Sequence, residues 1–292
     1  MKSSALRSVV TLALNVAALA ALFLAVRGQP AWSAAPEPTT ATQAARGQQL
    51  AETSGCAGCH SPPNGPALSG NMVGAWLAPN ITPDPVSGIG AWSRAEIVQY
   101  LHTGSVPSRS RAAGPMAQVV EALQTASNAD LDALAAWLMS QPPVRDPADQ
   151  VAASSRGGPL GEEWQDAGLR GPQPASQDAM RIGARLFSGS CTTCHQSNGA
   201  GTPDGYFPSL FHNSAVGRRN PANLLAVLLN GVQRTAAGHS ILMPGFDGSV
   251  EMPGGLSDAE LAAIANFILA QFGDPASAKV TVTDIAASRA GR

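Results

Sequence analysis

All four cysteines of this 292-residue chain lie in two copies of one pattern, Cys56-Ala-Gly-Cys59-His60 and Cys191-Thr-Thr-Cys194-His195. Three chemistries compete for cysteines at this spacing. A zinc site needs four donors in one place, and nothing in the sequence supplies each distant pair with two more ligands. A thioredoxin-like dithiol wants a strand-to-helix setting and gives no reason for a histidine directly behind both pairs. Covalent haem attachment accounts for cysteines and histidines together. The thiols form thioethers to the porphyrin vinyls, and the turn they define presents the next imidazole to the iron. The expectation is two covalently bound haem c groups, held by Cys56, Cys59, Cys191 and Cys194, with His60 and His195 as axial iron ligands.

Such a cofactor also suits a chain short of core material. Aromatic residues make up 5%, while glycine (30) and proline (23) are abundant, so loops should surround small helical cores whose missing volume the haem fills. With a formal charge of -2 and 13% charged residues, no basic face is available for nucleic acid. Asp and Glu form no paired arrangement of a catalytic kind.

The chain opens MKSSALRSVVTLALNVAALAALFLAVRG, in which Lys2 and Arg7 precede an apolar run from Val9 to Val26, followed by AWSAA. Residues 1–35 therefore read as a signal peptide or a single membrane anchor. Both place the remainder on the export side of a membrane, where haem is attached after translocation.

The surroundings of the two motifs repeat. Gly47 and Leu50 before the first match Gly183 and Leu186 before the second. The stretch RAEIVQYLHTG matches PANLLAVLLNG, pairing Ile97, Val98 and Leu101 with Leu224, Leu225 and Leu228 on amphipathic helices that end on glycine. SNADLDALAAWLMSQ matches SDAELAAIANFILAQ. Ser127 with Asp130, and Ser257 with Glu260, give capping signatures, and Leu131, Leu134, Ala135 and Leu138 match Leu261, Ile264, Ala265 and Ile268 on one helical face. The expected fold is all-α: two tandem cytochrome c domains, 40–141 and 176–272, joined by a Pro/Gly-rich strap, 142–175, with a tail over 273–292.

A filled sixth iron position makes a relay, and an open one a potential catalyst. Methionine is the usual partner of histidine in electron-transfer haems. Met116 and Met243 each fall twelve residues after the glycine ending the middle helix, Gly104 or Gly231, in loops reading GPMAQ and LMPGF. They are the expected second ligands. Met139 and Met180 read as packing, and Met72 and Met252 as loop alternatives. His102, His212 and His239 lack equivalents in the other copy. Trp76, Trp92 and Tyr206 read as loop aromatics packed over the haems.

The stretches APNITPDPVSGIGAWSRAEIVQYLHTG, AAGPMAQVVEAL and DLDALAAWL resemble the cytochrome c subunits of bacterial membrane-bound alcohol, aldehyde and sugar dehydrogenases. GARLFSGSCTTCHQSNGAGTPDGYFPSL, LMPGF and LSDAELAAIANFILAQFG resemble the last haem domain of those subunits. The resemblance covers roughly residues 40 to 285, and in it Met116 and Met243 match the methionines that ligate iron. It implies a catalytic dehydrogenase partner bearing flavin, pyrroloquinoline quinone or molybdopterin. The implied acceptor is membrane quinone, another cytochrome or an oxidase. The family's usual subunit has three haems; this chain has two motifs and resembles the second and third domains.

The expected function is thus a non-catalytic electron-transfer subunit. Its rival is a dihaem enzyme such as a peroxidase. That would need an open iron, and a thiosulfate-oxidising site would need a fifth cysteine.

Overall fold

The computed structural model describes residues 40–165, 179–248, 255–277 and 279–291. The leader over 1–35, Met252 and the last part of the connecting strap lie outside the described residues.

Two helical lobes follow the internal repeat. In the first, α1 (Thr40–Thr53) leads into the short α2 (Cys56–His60), and a hairpin of β1 (Asn71–Val73) and β2 (Trp76–Ala78) follows. Helix α3 (Arg94–Thr103) begins on a capping box between Ser93 and Glu96 and ends on Gly104 in the left-handed conformation. A short hairpin, β3 (Ser105–Val106) with β4 (Ser110–Arg111), precedes α4 (Pro115–Ala122) and α5 (Asn128–Met139).

After a short α6 (Glu162–Gln165), the second lobe runs through α7 (Ala179–Ser190), α8 (Thr192–His195) and α9 (Ala222–Asn230). A longer hairpin, β5 (Val232–Ala236) with β6 (His239–Met243), separates α9 from α10 (Asp258–Phe272). Helix α11 (Val282–Ala290) closes the chain on this lobe, with Val280 and Ile285 inside its core.

The repeated pattern has a packing cause. In each lobe the helix before the Cys-x-x-Cys-His turn crosses the last helix of its repeat, α1 on α5 and α7 on α10. Gly47 and Gly183 lie at those crossings, where a side chain would meet the backbone of Ala133 or Ala263. The apolar stripes named from the sequence, Leu131 to Leu138 and Leu261 to Ile268, are buried against these crossings. Ser127 accepts from Asp130 N, and Ser257 forms a full capping box with Glu260.

The described part of the connecting segment is tied to both lobes. Asn80 Nδ2 donates to the Val144 carbonyl at 2.7 Å, and Asp146 N donates to Ser87 Oγ at 3.0 Å. Further on, Arg156 donates to the Gly217 carbonyl at 2.7 Å and Leu160 enters the second lobe's core. Direct bonds also join the lobes. Asn223 of α9 accepts from Leu77 N and donates to Leu77 O, at 2.8 and 2.9 Å, and Ser214 N donates to Arg109 O at 2.9 Å. These polar contacts are directional, so they fix orientation as well as proximity.

Helix dominates, and the three hairpins are additions to the all-α expectation. In β5–β6 a two-residue turn, Ala237–Gly238, takes φ of 50° and 77°, the left-handed pair that matches strand twist in a tight hairpin.

Candidate functional site

Helices α2 and α8 each end on the histidine of their motif, and both imidazoles are buried, His60 at 9% and His195 at 7% exposure. The His60 Nδ1 lies 2.6 Å from the Pro79 carbonyl oxygen, and the His195 Nδ1 lies 2.8 Å from that of Pro208. A carbonyl oxygen only accepts, so Nδ1 carries the proton in both rings. The Nε2 lone pair is left as the donor face, and the ring is held in orientation from behind. Burial is the largest influence on each imidazole and lowers its pKa; the proline carbonyls partly offset it, and at His60 the Arg218 charge adds to it. Both rings are therefore neutral at neutral pH, the state that can donate to a metal.

The thiols argue in the same direction. Burial pushes the Cys56 thiol up and that of Cys191 up to about 12, whereas a redox dithiol needs a thiol lowered towards neutrality. All four cysteines are free of disulfides. Among the described residues no cluster of three or more His, Cys, Asp or Glu side chains is arranged around a common point.

One continuous cavity opens on both motifs. Its walls include Cys56, Cys59 and His60 from the first lobe and Cys191 and His195 from the second, and Met116 and Met243 also line it. Much of the remaining wall is apolar, with Trp76, Trp92, Leu101, Leu134 and Leu138 from the first lobe and Leu224, Val227 and Ile268 from the second. An apolar chamber with neutral imidazoles, thiols in its wall and a thioether from each repeat fits a covalently attached metalloporphyrin, whose faces are apolar and whose iron takes nitrogen and sulfur donors. Cys194 is the one motif cysteine absent from the lining.

The two methionines are not in loops as the sequence suggested. Met116 is the second residue of α4, where Pro115 at the first position starts the helix. Gly114 precedes it with φ of 52°, and a β-carbon there would lie 2.3 Å from the Trp76 ring, so the loop packs directly on that indole. Met243 is the last residue of β6, opposite Val232.

Other assignments divide. Met180 packs on the second lobe's core, but Met139, expected as core, is 36% exposed because it ends α5 beyond the buried stripe. Met72 is exposed on β1. His102, His212 and His239 are not among the cavity's lining residues. Trp76 and Trp92 line it, whereas Tyr206 is 44% exposed and stacks edge-on against Phe207. Sequence reasoning missed Tyr100, Arg111 and Arg218, which also line the cavity. Their spacing carries no signal, because the packing of two lobes brings them together.

Comparison with known proteins gives concordant matches. The profile of the family described as cytochrome c matches residues 44–142 and 180–271. The chain is 40% identical over 256 residues to the fructose dehydrogenase cytochrome subunit of Gluconobacter japonicus, covering 84% of this chain and 52% of that protein. It is 31% identical over 269 residues to the cytochrome c subunit of the quinone-type alcohol dehydrogenase of Gluconacetobacter polyoxogenes, covering 86% and 53%. It is 29% identical over 273 residues to the gluconate 2-dehydrogenase cytochrome c subunit of Pantoea cypripedii, covering 84% and 56%. The chain thus spans about half the length of these cytochrome subunits.

Proposed function

The chain belongs to the cytochrome c family, and we propose that it is a two-haem electron-transfer subunit serving a dehydrogenase on the periplasmic side of a bacterial inner membrane. The family implies haem c, and the two matched segments each contain one Cys-x-x-Cys-His motif. One observation carries the proposal. Two buried histidines, each held by a proline carbonyl, open on a single cavity that a methionine from each repeat also lines.

In this proposal Cys56 with Cys59, and Cys191 with Cys194, attach the two haems. His60 with Met116, and His195 with Met243, would ligate the irons. Bound haem contributes one-electron iron chemistry, and methionine ligation raises its potential. The chain's own part is to orient the imidazoles, surround the irons with apolar walls and hold the lobes in register through Asn223, Leu77, Ser214 and Arg109. With each iron held by two side chains of the protein, the chain would pass electrons and not transform substrate. Residues 40–141 and 176–272 are the two haem domains.

The relatives named as dehydrogenase cytochrome subunits support a catalytic dehydrogenase as donor. Its cofactor is of the flavin, pyrroloquinoline quinone or molybdopterin type. The acceptor is membrane quinone, another cytochrome or an oxidase, and the sequence of residues 1–35 supports membrane association.

Purification from detergent-solubilised membranes, followed by identification of the accompanying proteins, tests this proposal. Alcohols, aldehydes and sugars are then assayed for haem reduction. A co-purifying dehydrogenase whose substrate reduces both haems is the expected result. Isolation of the chain alone, with no such substrate reducing it, would overturn the subunit role.

A further inference from the structure

The β5–β6 hairpin belongs to the second lobe by chain order, yet its covered face lies in the first. Along β5, Arg234 and Ala236 are buried while Gln233 and Thr235 are exposed, the alternation of a strand with one face packed. Ala236 packs in a cluster with Ala112 and Val120, with Tyr100 and Met116 against it, rather than in the second lobe's own core. Beside it, Arg234 Nη1 donates to the Ala112 carbonyl at 2.6 Å.

The hairpin's outer edge is closed from the first lobe as well. A two-stranded sheet leaves the outward N–H groups of each strand without a partner strand. Here Thr235 N donates to Glu121 Oε1 at 3.1 Å, and Ala237 N donates to Gln124 Oε1 at 2.9 Å. Glu121 belongs to α4, the helix that opens with Pro115 and Met116, and Gln124 lies in the helical turn that follows it. Gln124 is itself fixed, its Nε2 donating to the His102 carbonyl at 2.6 Å and the Val120 carbonyl at 2.8 Å. Neither side chain is among those lining the cavity. The strand register pairs Ala236 with His239 at the tip and Val232 with Met243 at the base, so a displacement of the tip carries through the ladder to Met243.

We propose that Glu121 and Gln124 are positioning residues that hold the β5–β6 hairpin, and with it Met243, from the first lobe, so that the methionine contact at one iron is secured by the element carrying the other methionine. This rests on the two-haem proposal above, with Met243 as a ligand. Freeing the tip lets the hairpin move as a unit and leaves the Met243 sulfur at its iron for a smaller fraction of the time. An external ligand then binds that iron more tightly, in proportion to the fraction of molecules in which the position is open.

The test uses the mature holoprotein carrying Glu121→Ala with Gln124→Ala, the conservative Glu121→Gln, which keeps the acceptor oxygen, and Gln118→Ala as a control at an exposed position of the same helix. Haem content and the sulfur-to-iron band of the wild type come first, the second haem's band being the one that Met243→Ala removes. Absence of that haem or that band would overturn the two-haem proposal and the coupling together. The oxidised proteins are then titrated with imidazole, which competes with methionine for ferric iron. The double variant should raise the second haem's apparent affinity for imidazole about tenfold, the size expected from losing two hydrogen bonds of ordinary net strength. Amide exchange at Thr235 and Ala237 should quicken with it. Glu121→Gln should stay near wild type, and Gln118→Ala should change neither reading. If the double variant fails to assemble, Glu121→Ala alone decides. Full haem content with an unchanged imidazole affinity at the second haem, or a change confined to the first, would overturn the coupling and leave the two-haem proposal standing.

Discussion

A β-carbon placed on Gly47 would lie 2.0 Å from the carbonyl oxygen of Ala133, and the same contact recurs in the second lobe between Gly183 and Ala263 at 2.5 Å. The helix before each haem motif is thus pressed onto the final helix of its repeat, and only glycine permits that approach. Gly47→Val and Gly183→Val should each destabilise the protein by about 3 kcal/mol or more through overpacking at the crossing. Gly189→Ala, on the same helix as Gly183 but with open space around it, should be neutral or slightly stabilising. Thermal unfolding of the three variants checks the contrast.

Met116→Ala and Met243→Ala should each remove the sulfur-to-iron absorption band of one haem and lower that haem's potential, leaving the other unchanged. Near-infrared absorption and redox titration of the single variants decide the assignment. A band kept at full intensity in either variant would remove that methionine as a ligand.

Asp274 joins the connecting segment to the second lobe, with Arg156 at 3.2 Å and Arg219 at 3.1 Å. Burial alone would raise its pKa, but the Ala276 amide and the two guanidinium groups outweigh burial and hold the carboxyl below its usual range. A depressed folded pKa contributes stability that is present above the unfolded value and lost as pH falls through the folded one. Asp274→Asn should therefore cost about 2 kcal/mol at pH 7. The gap between wild type and variant should close as pH drops below about 4, the range of an unfolded aspartate. Denaturant midpoints over pH 2 to 7 measure it.

The C-terminal helix is built into the second lobe. Ile285 is fully buried, and Arg289 pairs with Asp247 and Asp258 at 3.1 and 2.6 Å. The Gly291 carbonyl accepts from Ala75 N of the first lobe at 2.9 Å. Ile285→Ala should cost about 3 kcal/mol, in the range of other large-to-small core changes. Limited proteolysis should then release the tail before either lobe is cut.

The helical repeat was legible because its signals are local. Capping serines, apolar stripes and the matched glycines act within one helix or one crossing, so Leu131, Ile264, Gly47 and Gly183 could be placed from spacing alone. Met116 and Met243 could be singled out, but their settings could not. Pro115 in fact opens a helix, and the alternation from Val232 to Met243 makes a hairpin around Ala237–Gly238. The ligand-loop pattern obscured both signals. Met139 was misplaced because the buried stripe stops before the helix does. Tyr100, Arg111 and Arg218 were invisible for a different reason: they line one cavity only when two lobes distant in sequence pack together.

The most direct test is a count of haems and their ligation in the purified native chain, by intact mass, pyridine haemochrome and carbon monoxide binding to the reduced protein. The expected result is two covalently attached low-spin haems per chain, neither of which binds carbon monoxide. A chain carrying one haem or none, or a reduced haem that takes up carbon monoxide readily, would contradict a saturated two-haem relay.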